Sequence, residues 1–217
     1  SMEKQLKVLF LSPEAVPFAK TGGLGDVAGS LPPALRRLGM DARVVLPLYT
    51  MVKGSGAKMR LICEDLKVPL GDALLTARIW EAQSAENTPV YLVEREDLYG
   101  RPSLYGTAAG DYYDNLERFS FYAHAALRLA EAISFRPDLI HCHDWQAGLV
   151  PALLKGPYRR DACAGKARTV FTIHNLGYQG IFSPDKLPLT GLSRDEYFHM
   201  EGLEYWGNIS LLKAGLM

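Results

Sequence analysis

Lys7-Val8-Leu9-Phe10-Leu11, closed by Ser12-Pro13, is a short unbroken apolar run, the pattern of a strand covered on both faces inside a parallel sheet. Downstream, Thr21-Gly22-Gly23-Leu24-Gly25 opens a stretch of small and apolar residues that runs to Leu38-Gly39, where the glycine suits a helix C-terminus. Asp41-Ala42-Arg43-Val44-Val45-Leu46-Pro47 then reads as a second strand. Strand, glycine turn, helix and strand make a βαβ unit, which predicts an α/β fold with a parallel sheet and helices on both faces. Pro32-Pro33 conflicts locally with the helix, so the spacing predicts either a kink there or a helix that begins at Ser30.

The same pattern returns later in the chain. Asp138 to Trp145 and Arg168 to Asn175 read as two more buried strands, with a helix from Gln146 to Lys155 between them. From Tyr112, the positions Leu116, Phe119, Ala123, Ala126, Leu127, Ala130 and Ile133 keep helical spacing, which predicts an amphipathic helix of about six turns ended before Pro137. Between the two units, alternating segments at Leu61–Val68, Thr76–Trp80 and Pro89–Val93 predict short strands, two of them paired as a hairpin. Residues 97–111 form a loop too long for a mere connection, which marks it as functional. In the tail, Leu203, Trp206, Ile209, Leu212 and Leu216 keep roughly helical spacing and then stop without a capping glycine, the pattern of a chain cut within a longer protein.

Composition narrows the function. The 217 residues carry 24 basic and 24 acidic side chains, so no net positive field favours nucleic acid or an anionic membrane. No apolar run is long enough to span a bilayer, and Ser1-Met2-Glu3-Lys4-Gln5 lacks the apolar stretch of a signal peptide, which predicts a cytoplasmic address. The serine before Met2 reads as the remnant of a cleaved tag. Cys63, Cys142 and Cys163 are widely spaced and odd in number, which supports neither a disulfide framework nor a structural zinc site.

In open parallel sheets, ligands bind outside the carboxyl ends of the strands. The polar residues gather there: Ser12-Pro13-Glu14, His143-Asp144-Trp145 and His174-Asn175. Gly23-Leu24-Gly25-Asp26-Val27-Ala28 formally fits a dinucleotide fingerprint. The glycines stand far past the strand end, however, and Leu46-Pro47-Leu48-Tyr49 offers no ribose-binding acid, which disfavours a dehydrogenase. The loop does offer backbone N–H groups at a helix N-terminus with Lys20 beside them, a place for a diphosphate. His141 and His143 share a strand face and, with His174 and Asp144, leave a metal-dependent hydrolase as the rival reading. Neither a nucleophile elbow nor a Walker sequence is present. Tyr99, Tyr105, Tyr112 and Tyr113 could stack on sugar rings or anchor their loop to the core.

Lys20-Thr21-Gly22-Gly23-Leu24-Gly25-Asp26-Val27, Asp111 to Arg118, His141 to Gly148, Phe171 to Gly180 and Asn208 to Gly215 together resemble, in order and spacing, bacterial glycogen synthases and plant starch synthases. The resemblance covers the whole chain, 1–217, and only the amino-terminal half of such proteins. It implies the first Rossmann-like domain of a two-domain GT-B glycosyltransferase that moves glucose from ADP-glucose, or UDP-glucose in some relatives, to the non-reducing end of an α-1,4-glucan with retention. It implies no metal and no other cofactor. By position, Lys20 with the Gly22 and Gly23 amides would hold the donor diphosphate. His174 and Asp144 would stand at the reacting glucose, and Tyr105, Trp145 and Asn175 would shape the sugar subsite. The carboxy-terminal domain would supply the adenosine pocket, further cations and an essential glutamate, so the isolated chain is expected to be inactive. A glucan-binding module without catalysis is the non-enzymatic alternative.

Overall fold

A computed structural model describes residues 3–217, so the readings of Ser1 and Met2 lie outside the described residues. Seven strands form one sheet: β1 (Lys7–Leu11), β2 (Asp41–Pro47), β3 (Arg60–Leu70), β4 (Ala73–Ser84), β5 (Thr88–Glu94), β6 (Leu139–His143) and β7 (Arg168–Thr172). Their order across the sheet is β3-β4-β5-β2-β1-β6-β7. β5, β2, β1, β6 and β7 run parallel, whereas β4 is antiparallel to both its neighbours. The parallel sheet expected from the two βαβ units is present, and the expected hairpin of the middle segments joins its edge, so the whole is a parallel-dominated mixed sheet. The three alternating segments are longer than their apolar cores suggest, and they extend the sheet past β2 through tight turns at Gly71-Asp72 and 85–87.

The parallel strands are joined by α1 (Gly23–Arg37), α2 (Asn115–Ala132) and α3 (Leu149–Lys155). Crossovers of this kind are right-handed. β1 to β2 steps one way across the sheet while β5 to β6 and β6 to β7 step the other, which puts α1 on one face and α2 with α3 on the opposite face.

α1 corrects the expectation at Pro32-Pro33. The helix begins at Gly23 and runs unbroken through both prolines, whose rings lie on its buried side. The apolar burial of two rings offsets the two missing N–H donors. The end is as expected: Gly39 takes φ +90°, and Met40 N–H reaches back to Leu35 O to close a Schellman motif.

α2 is shorter than expected and is not amphipathic. Fourteen of its 18 residues are buried, including Arg118, Ser120 and His124. It lies under the long loop on one side and against β3 on the other, so both flanks are covered. The helix predicted from Gln146 starts as a single tight turn, Trp145–Ala147, and becomes α-helical at Leu149.

The tail is the clearest departure. Instead of one helix, Glu204–Tyr205 and Asn208–Ser210 form a hairpin that pairs with Ile181–Phe182, followed by the short helix α4 (Leu211–Gly215). Five apolar positions match several periods at once, and the glycine at Gly207, with φ +80°, sets a two-residue turn. The three cysteines are free, and Cys142 is fully buried in β6. Among the described residues no helix is long and apolar enough to cross a membrane.

Candidate functional site

β1 is the topological switch point of the sheet, because its crossover leads to β2 on one side while β6 flanks it on the other. The crevice at the carboxyl ends of β1, β6 and β7 is thus where this architecture binds ligands.

One wall of the crevice is organised around Glu14, just past the end of β1 and only 4% exposed. Its Oε1 accepts the Thr21 N–H at 2.7 Å and the Gly22 N–H at 3.2 Å. Its Oε2 accepts the Thr21 hydroxyl and the Tyr105 hydroxyl, each at 2.7 Å. Burial pushes the Tyr105 hydroxyl well above its usual pKa, so it stays a donor. A single carboxylate thereby ties the strand end, the glycine loop and the long loop together.

The long loop is held in turn by Arg118 of α2, the bulkiest of the fully buried side chains. Its guanidinium donates to Leu98 O at 2.6 Å, Leu104 O at 2.8 Å and Asn115 Oδ1 at 3.0 Å. Asn115 donates to Tyr105 O at 2.9 Å, and Arg101 grips Asp114 with a bidentate pair at 2.6 and 2.5 Å. Burial lowers the Arg118 pKa from its ordinary value, and the ring of Tyr112 lies 4.9 Å from its guanidinium carbon.

The glycine loop itself has open space. A Cβ at Gly22 or Gly23 would meet nothing within 4 Å, and Gly22 is extended at φ −159°. Neither glycine is required by the packing of this chain. Gly25 and Gly29 are different, since a Cβ at Gly29 would lie 2.9 Å from Val16 and one at Gly25 would lie 3.1 Å from the Lys20 side chain. Lys20 Nζ pairs with Asp26 at 2.7 Å, with side chains 49% and 59% exposed. A pair that open to water is worth about 0–1 kcal/mol and is readily exchanged for an anionic ligand.

The other wall rises from β6 and β7. His141 and His143 point to the same face, with ring centroids 4.0 Å apart, and His143 stacks on Phe10 of β1 at 4.2 Å. His141 Nε2 bonds to Thr172 Oγ1 at 2.7 Å, and His143 Nδ1 to His174 Nε2 at 2.9 Å. Burial, with two imidazoles alongside, pushes the His143 pKa down to about 2, so its ring is neutral. His143 Nε2 is buried without a partner. An orphaned lone pair is cheaper than an orphaned N–H, which assigns the proton of His143 to Nδ1, donating to His174. His174 then carries its own proton on the exposed Nδ1.

Asp144 sits at φ 58°, ψ −174°, a region that non-glycine residues rarely enter and that costs about 1–3 kcal/mol. Two bonds hold it there: Asp144 N–H donates to Thr172 O at 3.0 Å, and its Oδ1 accepts the His174 N–H at 2.7 Å. The strained strand end therefore fixes where His174 leaves β7.

His174 and Asn175 are exposed, and Asn175 Oδ1 caps the Gly177 N–H at 2.8 Å. Trp145 is 8% exposed and packs edge-on to Phe119 at 5.1 Å and near Phe182 at 5.9 Å, and a Cβ at Gly180 would strike its ring at 2.7 Å. Lys20, Gly22 and Gly23 thus stand on one wall and His174, Asp144 and Asn175 on the other, while Tyr105 and Trp145 are turned into the supporting layer.

Two residues had no role assigned from sequence. Glu14 was visible as an acid at a strand end, but the Tyr105 hydroxyl it accepts lies 91 residues away, and the partners of Arg118 at Leu98 and Leu104 sit on a loop with no periodic signal. The rival metal reading lacks its ligand set: among the described residues no group of three or more His, Cys, Asp or Glu could hold a metal ion.

Residues 7–217 match the family described as the starch synthase catalytic domain. Glycogen synthase of Syntrophotalea carbinolica is 44% identical over 98% of this chain, and that of Anaeromyxobacter sp. is 45% identical over 98%. The chain spans 43% of the length of each of these relatives. The catalytic domain of starch synthase IV from Arabidopsis thaliana, solved bound to ADP and acarbose, superposes with a TM-score of 0.86 at 28% identity, over 98% of this chain and 43% of that one. The chain belongs to the starch synthase catalytic domain family.

Proposed function

We propose that this chain is the amino-terminal domain of a glycogen synthase that transfers glucose from ADP-glucose to the non-reducing end of an α-1,4-glucan, with retention of configuration. The observation that carries the reading is the vacant space at Gly22 and Gly23: two glycines that the packing does not require, at the N-terminus of the 15-residue helix α1. Such a place suits a diphosphate. The Gly22 N–H is engaged by Glu14, so the amides facing the ligand are those of Gly23 and the first turn beyond it, with Lys20 released from Asp26.

In this arrangement the ADP leaving group develops negative charge beside the lysine and the helix N-terminus, which favours the transition state over the bound donor. These groups do the work that a metal ion does elsewhere, and no metal or other cofactor is needed. His174 offers its Nδ1–H to a hydroxyl of the transferred glucose, and Asp144 keeps that imidazole in place. Asn175 borders the same sugar from the exposed loop. Tyr105 and Trp145 act from behind: one holds Glu14 and hence the glycine loop, the other backs Gly180 and the chain that follows His174. A second domain supplies the adenosine pocket and the remaining cations, so the isolated chain binds ligand without turnover. The site calls for no nucleic acid and no membrane, and the function suits the cytoplasm.

The test follows labelled glucose into glycogen from ADP-glucose and from UDP-glucose, with EDTA present, in the full-length protein carrying this domain. Gly23→Ala is the control: it should leave the unfolding midpoint within about 0.5 kcal/mol of the parent and lower transfer at least about tenfold by filling the space at the helix N-terminus. No incorporation from either donor would overturn the reading.

A further inference from the structure

Glu204-Tyr205-Trp206-Gly207-Asn208 builds a hairpin whose two-residue turn is Trp206-Gly207, with Tyr205 paired to Asn208. Both turn residues have positive φ, 50° at Trp206 and 80° at Gly207. This is a type I′ turn, and its first central position is the natural place of Asn, Asp or Gly. A bulky residue there strains the backbone. Strain of this kind is ordinarily compensated by packing, yet Trp206 is 85% exposed. The tryptophan serves neither its turn nor the core.

Its position is fixed relative to the crevice. The hairpin strand Asn208–Ser210 pairs with Ile181–Phe182, Ser210 caps α4, and Leu211 and Leu212 donate backbone N–H groups to Gly180 O and Gln179 O, both at 3.0 Å. Gln179 and Gly180 end the loop that starts at His174 and Asn175. The tip therefore stands on a rigid extension of the wall that carries the sugar-facing residues.

Its surroundings indicate what it meets. The Tyr205 ring stands at 87° to the Trp206 ring, with centroids 6.4 Å apart, so the two form a corner. The residues beside them are Glu204, whose Oε1 accepts the Gly207 N–H at 2.8 Å, and Asn208. One apolar plate projecting among carboxylate and amide groups fits a sugar ring, which needs a flat apolar partner for its C–H face and polar partners at its rim.

We propose that Trp206, with Tyr205 and Asn208 beside it, is a stacking platform for an α-linked glucan chain on the rim of the crevice, outside the reacting subsite. The proposal rests on the glucan reading above and adds to it a second point of contact for a long acceptor.

The test uses the 217-residue chain in native gels with and without glycogen, beside Trp206→Asn and Trp206→Tyr. Asparagine suits the left-handed turn, so that variant should fold at least as firmly as the parent. The expected result is retardation of the parent by glycogen, weakened about three- to tenfold in Trp206→Asn and largely kept in Trp206→Tyr. Equal retardation of parent and Trp206→Asn, or none in either, would overturn the platform. A tryptophan-dependent self-association on sedimentation, with glycogen binding unchanged, would overturn it in favour of a second copy. Failure of glucose transfer in the full-length protein, with tryptophan-dependent retardation intact, would remove the synthase reading and leave the platform standing.

Discussion

The two walls of the crevice are built differently. On the Glu14 wall, the groups that position the glycine loop are buried and bonded to one another: four donors converge on one carboxylate, and Arg118 braces the loop that brings one of them. On the His174 wall, only the root is buried. His143 lies under the surface and His141 is half-buried, while His174, Asn175, Leu176 and Tyr178 are exposed, Leu176 and Tyr178 by 69% and 68%. A wall whose polar groups are satisfied from within is shaped before any ligand arrives. A wall of exposed side chains takes its final partners from the ligand or from another part of the protein.

The largest expected effect on stability tests the brace. Arg118→Met keeps the length and apolar packing of the side chain but strips hydrogen bonds from the Leu98 and Leu104 carbonyls and from Asn115. Leaving buried acceptors unmet costs about 1–3 kcal/mol each, so the urea midpoint should fall by the equivalent of about 3 kcal/mol or more. Because the loop carries Tyr105, donor affinity should fall as well. An unchanged midpoint would mean that the loop is held by Arg101 and Asp114 alone, and the contrast between the walls would lose its cause.

Next in size is an acid effect on the buried root of the other wall. Burial holds the pKa of His143 near 2, far below the ordinary 6.5, and lowers those of His141 and His124 as well. In each case the folded chain resists a proton that the unfolded chain accepts. The stability these rings contribute is complete above pH 6.5 and is lost as the pH falls, for His143 through the window from 6.5 toward 2. By pH 5 the loss due to His143 amounts to about 2 kcal/mol. Urea midpoints at pH 7 and pH 5 should show the loss in the parent, and His143→Phe should reduce it while keeping a ring against Phe10. An equal acid loss in that variant would show that His143 is not the group that resists protonation.

The wall with the simpler chain path was the more legible one. The unbroken apolar run of β1 and the glycines that follow it declare a strand, a turn and a helix N-terminus from neighbouring residues alone. The end of β6 at His143 was readable for the same reason, whereas the last strand, read as buried and reaching Asn175, ends at Thr172 as an edge strand with its first three residues exposed. Glu14 and Tyr105 are 91 residues apart, and no local pattern records that their side chains meet. Arg118 was hidden because, next to Glu117, a charged residue in a helix reads as part of its solvated face, whereas α2 has scarcely any such face. The tail misled in another way: at Trp206 the helical period competed with a turn, and the glycine after it decided the matter.

The smallest effect on stability separates positioning from binding within the Glu14 wall itself. Lys20 and Asp26 are both about half exposed, so their ion pair contributes little to folding. Lys20→Ala should shift the urea midpoint by less than about 0.5 kcal/mol, because no buried partner is left behind. The same variant removes the positive charge of Lys20 beside the space at Gly22 and Gly23, and a charge-assisted contact to a diphosphate is worth about 1.5–3 kcal/mol. Binding of ADP-glucose to the chain, followed by calorimetry, should weaken by roughly tenfold or more, a far larger change than in stability. If affinity and stability instead moved together, Lys20 would be part of the preformed wall. Were affinity unchanged instead, the diphosphate would have to be held from the opposite side of the crevice.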